Sequence, residues 1–144
     1  MKQPEEFCSV FYDNNLVDWI CNGLKIDKKW LDGTYYTIGL KSGNKLLGGL
    51  IYHNIRPQRD LWVTIYTADK KWCNRRVLKI IFSLAFNFWQ VERISISVSA
   101  NNVSCIRLVE KLGFIKEGVF RKYMDDGSDC VFYGMLKSEN EWSK

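Results

Sequence analysis

The sequence predicts one α/β domain built on a mixed sheet, and three consecutive stretches carry that prediction. In Leu61–Tyr66, Leu61, Val63 and Ile65 alternate with Trp62, Thr64 and Tyr66, the period of two expected of a pleated strand. Val77, Ile81, Leu84, Ala85 and Phe88 then recur at helical spacing. Ile94, Ile96 and Val98 alternate with Ser95, Ser97 and Ser99, a second strand with one apolar and one small polar face. Strand, helix, strand in this order predicts a right-handed crossover between parallel neighbours. Ligands tend to bind at the carboxyl ends of such a pair.

The remaining elements follow in order. Ser9–Tyr12 suits a short strand, and Asp13 or Asn14 suits the cap of a helix that buries Leu16, Val17, Ile20, Cys21 and Leu24. Gly23 falls near its end. Ile26–Asp32 reads as a loop with room for a helical turn. Tyr35–Leu40 and Leu46–Asn54 read as strands joined across Lys41–Lys45, where Gly43 and Asn44 tolerate positive φ. Gly48 and Gly49 inside the second strand mark a bulge or a close approach. Arg56-Pro57 breaks that run. Asn102 suits the cap of a further helix that buries Cys105, Leu108, Val109 and Leu112 and stops at Gly113. Phe114–Tyr123 and Cys130–Leu136 then form a hairpin. The order is β-α-β-β-β-α-β-α-β-β.

Composition narrows the class. The chain has 144 residues, enough for one domain (1–144) with a real core. Hydrophobic residues make up 47%, which excludes disorder as a description of the whole chain. The net charge of +5 suits an acidic ligand without choosing one. Val77–Trp89, interrupted by Lys79, Ser83 and Asn87, is too short for a membrane span, and Met1–Phe11 lacks the apolar run of a signal peptide. The five cysteines are scattered without a C-x-x-C pair; they predict reduced thiols and a cytoplasmic protein. A single histidine excludes a His-rich metal site, and no metal is expected.

The helix start after Leu61–Tyr66 is unusual. Asn74 suits an N-cap, yet Arg75 and Arg76 follow where the helix dipole is already positive, at a cost of a few tenths to about 1 kcal/mol per charge. A bound phosphate would reverse that sign. Side chains simply extended into solvent would also account for it.

Asn102–Gly118 carries a family resemblance. Its Leu108-Val109-Glu110-Lys111-Leu112-Gly113-Phe114 and Glu117-Gly118 follow the pattern L-Y-E-K-x-G-F-x-x-E-G, so the stretch resembles the second half of the GNAT superfamily of N-acyltransferases, most closely its Rim-like branch. The tail Asp125–Trp142 is similar to small acetyltransferase-like proteins of phages and bacteria. The resemblance covers roughly residues 35–142. It implies a mostly antiparallel sheet whose central parallel pair splays around an acyl-CoA, usually acetyl-CoA. Backbone of Ile65, Tyr66 and Thr67 would pair with the pantetheine arm. Lys71, Trp72, Cys73, Asn74, Arg75 and Arg76 would hold the diphosphate, and Asn102, Ser104 and Arg107 would approach from the neighbouring strand end.

Two departures from the family pattern stand out. The loop pattern Q/R-x-x-G-x-G/A meets Asp69, Trp72 and Asn74 here, so glycine's close approach to phosphate is lost and Lys70, Lys71, Arg75 and Arg76 would have to compensate. Val109 stands where many relatives carry the tyrosine that protonates the leaving thiolate, which leaves Tyr123, Tyr133 and Ser104 as hydroxyl donors. His53 is the one side chain with a pKa ordinarily near neutrality; it is the expected base, with Glu117 and Asp129 as alternatives. The expected function is transfer of an acyl group from acyl-CoA to an amine on a protein or small molecule, by a monomer or homodimer that needs no membrane. The alternatives are a weakened binding module of the same fold and a nucleic-acid-modifying acyltransferase that uses its basic cleft.

Overall fold

The computed structural model describes residues 8–31 and 33–144. The element order is the expected one. Seven strands, β1 (Ser9–Tyr12), β2 (Tyr35–Ser42), β3 (Lys45–Arg56), β4 (Asp60–Thr67), β5 (Arg93–Ser99), β6 (Ile115–Phe120) and β7 (Cys130–Leu136), are interleaved with helices α1 (Val17–Leu24), α2 (Arg75–Ser83) and α3 (Val103–Lys111). They form one sheet in the order β1-β2-β3-β4-β5-β7-β6. All neighbours are antiparallel except β4 and β5. The helical turn anticipated within Ile26–Asp32 spans Lys28–Trp30; Asp32 and the start of Met1–Phe11 lie outside the described residues.

Side-chain alternation divides the sheet into two faces. Leu50, Tyr52, Leu61, Val63, Ile65, Ile94, Ile96, Val98, Tyr133 and Met135 point to the α2 and α3 side, where they share one core with Val77, Ile81, Val109 and Leu112. Ile51 and Tyr66 point the other way and pack with Val17, Ile20, Cys21 and Trp19 of α1. The Gly48-Gly49 pair is explained by close approach. A Cβ on Gly48 would lie 2.6 Å from the Tyr66 carbonyl and 3.1 Å from the Trp72 ring, and one on Gly49 would lie 2.6 Å from Ile20. Each glycine lets a neighbour seat on one face.

One expectation about a helix is corrected. Phe88 continues the helical spacing of Val77, Ile81 and Ala85 but is 70% exposed. After Ser83 the chain widens into a π turn over Leu84–Phe88, with Trp89 N–H donating to the Leu84 carbonyl at 3.1 Å. One extra residue per turn rotates everything downstream. Trp89 therefore takes the inward position against Tyr36 and Tyr52, and Phe88 faces solvent. Among the described residues, no helix is long and apolar enough to cross a membrane.

Candidate acyl-transfer site

The parallel pairing of β4 and β5 is short. It joins Asp60 to Arg93, Leu61 to Ile94 and Trp62 to Ser95, yet β4 runs on to Thr67 and β5 to Ser99. Beyond Trp62 the strands part, as the expectation of a splayed pair required. The edge of β4 over residues 63–67, which includes Ile65, Tyr66 and Thr67, thus turns backbone N–H and C=O groups toward a groove with no partner strand. Such an edge suits an extended ligand that carries amides.

The side chains of those residues are committed elsewhere. Ile65 is buried under α2. Tyr66 sits edge-on to Trp19 at 5.1 Å and its ring covers Gly23. Thr67 Oγ1 accepts from the Trp72 indole N–H at 3.1 Å. Trp72 itself is 0% exposed. Its side chain is therefore a core residue and does not make the expected contact with a cofactor, whereas the neighbouring Lys70 and Lys71 are exposed. A buried tryptophan donating its N–H satisfies both its area and its polar atom.

The rest of the loop is a turn over Lys70–Trp72 whose Asp69 carboxylate accepts from Lys71 N–H, followed by Asn74, whose Oδ1 accepts from Val77 N–H at 3.0 Å. Asn74 is the N-cap of α2, as expected. Arg75 and Arg76 do not stand free at the helix start. The Arg76 guanidinium donates to the Cys8 carbonyl, and Arg75 lies over the Trp142 ring at 5.5 Å. These contacts join the start of α2 to Cys8, just before β1, and to Trp142, after β7. Lys71 is exposed, and Cys73 is half-buried with its thiol pKa pushed up by burial.

Across the groove Asn102 caps α3 as expected, with its Oδ1 accepting from Cys105 N–H at 3.2 Å and from the Ser104 hydroxyl at 3.3 Å. Ser104 and Arg107 are exposed on this helix. Val109 is fully buried. Tyr133 lies beneath α3, donates to Glu110 Oε2 at 3.0 Å, and has its pKa pushed up to about 12 by burial and then by Glu110. Glu117 and Asp129 are structurally engaged. Glu117 pairs with Arg93 at 2.6 Å, and Asp129 accepts from Lys122 N–H.

His53 is half-buried on the α1 face, opposite Trp62 in the β3–β4 register. Its Nδ1 is 3.0 Å from Asn54 Oδ1, and its Nε2 is 2.9 Å from Thr64 Oγ1. Since an amide oxygen only accepts, Nδ1 carries the proton and Nε2 accepts from the Thr64 hydroxyl. Burial pulls the imidazole pKa below its ordinary 6.5, partly offset by the bond to Asn54, so the ring is neutral near pH 7. Thr64 is the residue the sequence did not reveal. Only the strand register brings its hydroxyl to His53, two residues past the last rung of the parallel pair.

The same face continues as a run of aromatic rings. Trp62 meets Phe132 edge-on at 6.0 Å, Phe132 meets Phe120 at 4.4 Å, Phe120 meets Tyr123 at 5.3 Å, and Tyr123 meets Trp30 at 5.6 Å. Tyr123 thus stands in this aromatic run and Ser104 at the start of α3, so the three expected catalytic groups do not meet at one point. Trp62 also borders a concavity of about 670 Å³ at the opposite end of β4, between Tyr36, Arg56, Asp60 and Trp89.

A mostly antiparallel seven-stranded sheet, opened at one parallel pair and flanked by three helices, is the GNAT fold, and comparison with solved structures bears this out. Spermidine N-acetyltransferase from Vibrio cholerae, solved with CoA and spermine, superposes with a TM-score of 0.69 at 15% identity over 92% of this chain and 96% of that one. A T. thermophilus protein provisionally classed as an acetyltransferase gives 0.64 at 24% identity, over 75% of this chain and 62% of that one. A further protein of the same provisional class gives 0.64 at 25% identity, over 82% and 62%. This chain therefore spans less than two thirds of the last two. No family model and no curated protein matches it.

Proposed function

We propose that this protein is an acyl-CoA-dependent N-acyltransferase, and most simply an N-acetyltransferase. The observation that carries the reading is the end of β4–β5 pairing at Trp62 and Ser95, with the His53–Thr64 pair two residues beyond it on β4. The amide-bearing arm of an acyl-CoA fits the open edge of β4, which would present the thioester carbonyl near Thr64. Acyl-CoA acts here as a substrate: an amine nitrogen attacks the thioester carbon, the C–S bond breaks, and the thiol leaves.

What the chain supplies is proton movement and orientation. Thr64 donates to a neutral imidazole, so its oxygen can accept the amine proton as its own passes to Nε2. A backbone N–H on the open edge of β4 can stabilise the oxyanion. Loss of the tyrosine at Val109 is tolerable, because a thiol of pKa near 8.5 leaves without strong acid help. Tyr133 is a poor substitute with its proton held by Glu110. Backbone N–H groups at the Asn74–Arg76 helix start and the free side chains of Lys70, Lys71 and Arg107 are the groups suited to a diphosphate.

Titration of the protein with acetyl-CoA tests the donor half of this reading. Saturable binding is expected. His53→Gln should keep that affinity while turnover falls by roughly 10²-fold or more. Full turnover in His53→Gln would remove the base assignment, and no binding of acetyl-CoA would remove the reading as a whole.

A further inference from the structure

Three serines of β5 lie on the face that Trp62 shares, and one of them is left open. Ser95 is buried and accepts from Arg93 Nε at 3.1 Å. Ser99 Oγ lies 2.9 Å from Ser128 Oγ and accepts from Asn101 N–H at 3.2 Å. Ser97, between them, is exposed. The buried Cys130 thiol lies beside its hydroxyl, and a thiol is a weak hydrogen-bonding partner. Phe132, opposite Ser97 in the β5–β7 register, meets Trp62 across β5.

Register places Ser97 against Thr64. β4 stays paired with β3 as far as Thr67, and β5 with β7 as far as Ser99, so both strands keep their alternation past the point where they part. Thr64 and Ser97 each stand two residues beyond the last rung, Trp62 with Ser95, and on the same face as that rung. They are the first side chains on this face to flank the opening. Paired strands lie about 4.8 Å apart, and the opening widens from that value. One nitrogen making two N–H···O bonds of about 2.9 Å at a tetrahedral angle joins oxygens about 4.7 Å apart. The start of the opening therefore suits a nitrogen held from both strands.

We propose that Ser97 Oγ holds the acceptor nitrogen in place against Thr64 and so selects primary amines. A primary amine has two N–H groups and one lone pair. One N–H donates to Thr64 Oγ, the other donates to Ser97 Oγ, and the lone pair faces the thioester carbon. As the C–N bond forms, the first proton passes through Thr64 to His53 Nε2. The second stays on the amide product, and the thiolate leaves with the C–S electron pair. A secondary amine has a single N–H. Once Thr64 accepts it, Ser97 meets a carbon substituent and loses its partner. The assignment rests on the acyltransferase reading and adds the group that orients the nucleophile.

Butylamine and N-methylbutylamine, with acetyl-CoA, are the probes. The unaltered protein should use butylamine with a kcat/KM at least about tenfold higher. Ser97→Ala should lower kcat for butylamine about tenfold, the worth of one hydrogen bond, while acetyl-CoA affinity by direct titration stays unchanged. The smaller side chain makes room for the N-methyl group, so the preference should shrink to less than about threefold. Ser97→Thr, which keeps the hydroxyl on a strand, should restore both rate and preference. A structural role for Ser97 would not move the ratio between the two amines. Acetyl-CoA bound with both amines used equally, with neither acetylated, or with the ratio unmoved in Ser97→Ala overturns the proposal alone. No binding of acetyl-CoA overturns it together with the transferase reading.

Discussion

The two faces of this sheet are built to different ends. On the α2 and α3 side β2, β3, β4, β5 and β7 contribute buried apolar residues to one continuous core, and Tyr52 there donates to the Ile81 carbonyl at 2.8 Å. On the other side α1 is only eight residues long and covers β2, β3 and the far end of β4. Past α1 the sheet presents His53, Thr64, Ser97 and the aromatic run. The closed face holds the fold together, and the half-covered face leaves chemistry accessible. A substitution's effect should therefore depend first on which face it lies on.

The largest expected effect is on the closed face. Trp72→Ala removes a fully buried side chain and its bond to Thr67, and should lower stability by about 3–5 kcal/mol. Urea unfolding measures it. A loss below about 1 kcal/mol would mean that Trp72 is not part of the core and would restore it as a candidate for cofactor contact.

The open face should reveal itself through pH. Because burial holds the His53 pKa below 6.5, turnover should rise with pH through a midpoint lower than 6.5, and His53→Gln should abolish that rise. The sign of the linked stability change follows from proton counts. As pH drops below 6.5 the unfolded chain takes up a proton that the folded imidazole resists, so stability falls and levels off below the folded pKa. Proton titration by NMR checks both, and a midpoint above 6.5 would contradict the half-buried, neutral ring.

The smallest effect distinguishes geometry from periodicity. Phe88→Ser lies at an inward position by spacing but at an exposed one in the fold. It should change stability by no more than about 0.5 kcal/mol. A loss of several kcal/mol would show that α2 continues without the π turn and that Phe88 is in the core.

The sequence alone determined the element order, the caps at Asn74 and Asn102 and the parallel central pair, and it marked Gly48-Gly49 as a bulge or a close approach. All of these rest on local rules: periodicity, capping chemistry and glycine's missing Cβ act over a few residues and leave a mark in the string. Tertiary structure decided the rest. The π turn after Ser83 adds one residue to a helical turn, which no apolar spacing signals in advance. Arg75 and Arg76 look like free cations until Cys8 and Trp142, distant in sequence, are brought to them. The basic loop hid a core residue, because Trp72 turns inward between polar neighbours into the space Gly48 leaves. His53 was legible as a candidate base, but Thr64 was not visible as its hydrogen-bond partner. Their bond depends on strand register across the β3–β4 turn, and register is a property of the paired strands rather than of either one.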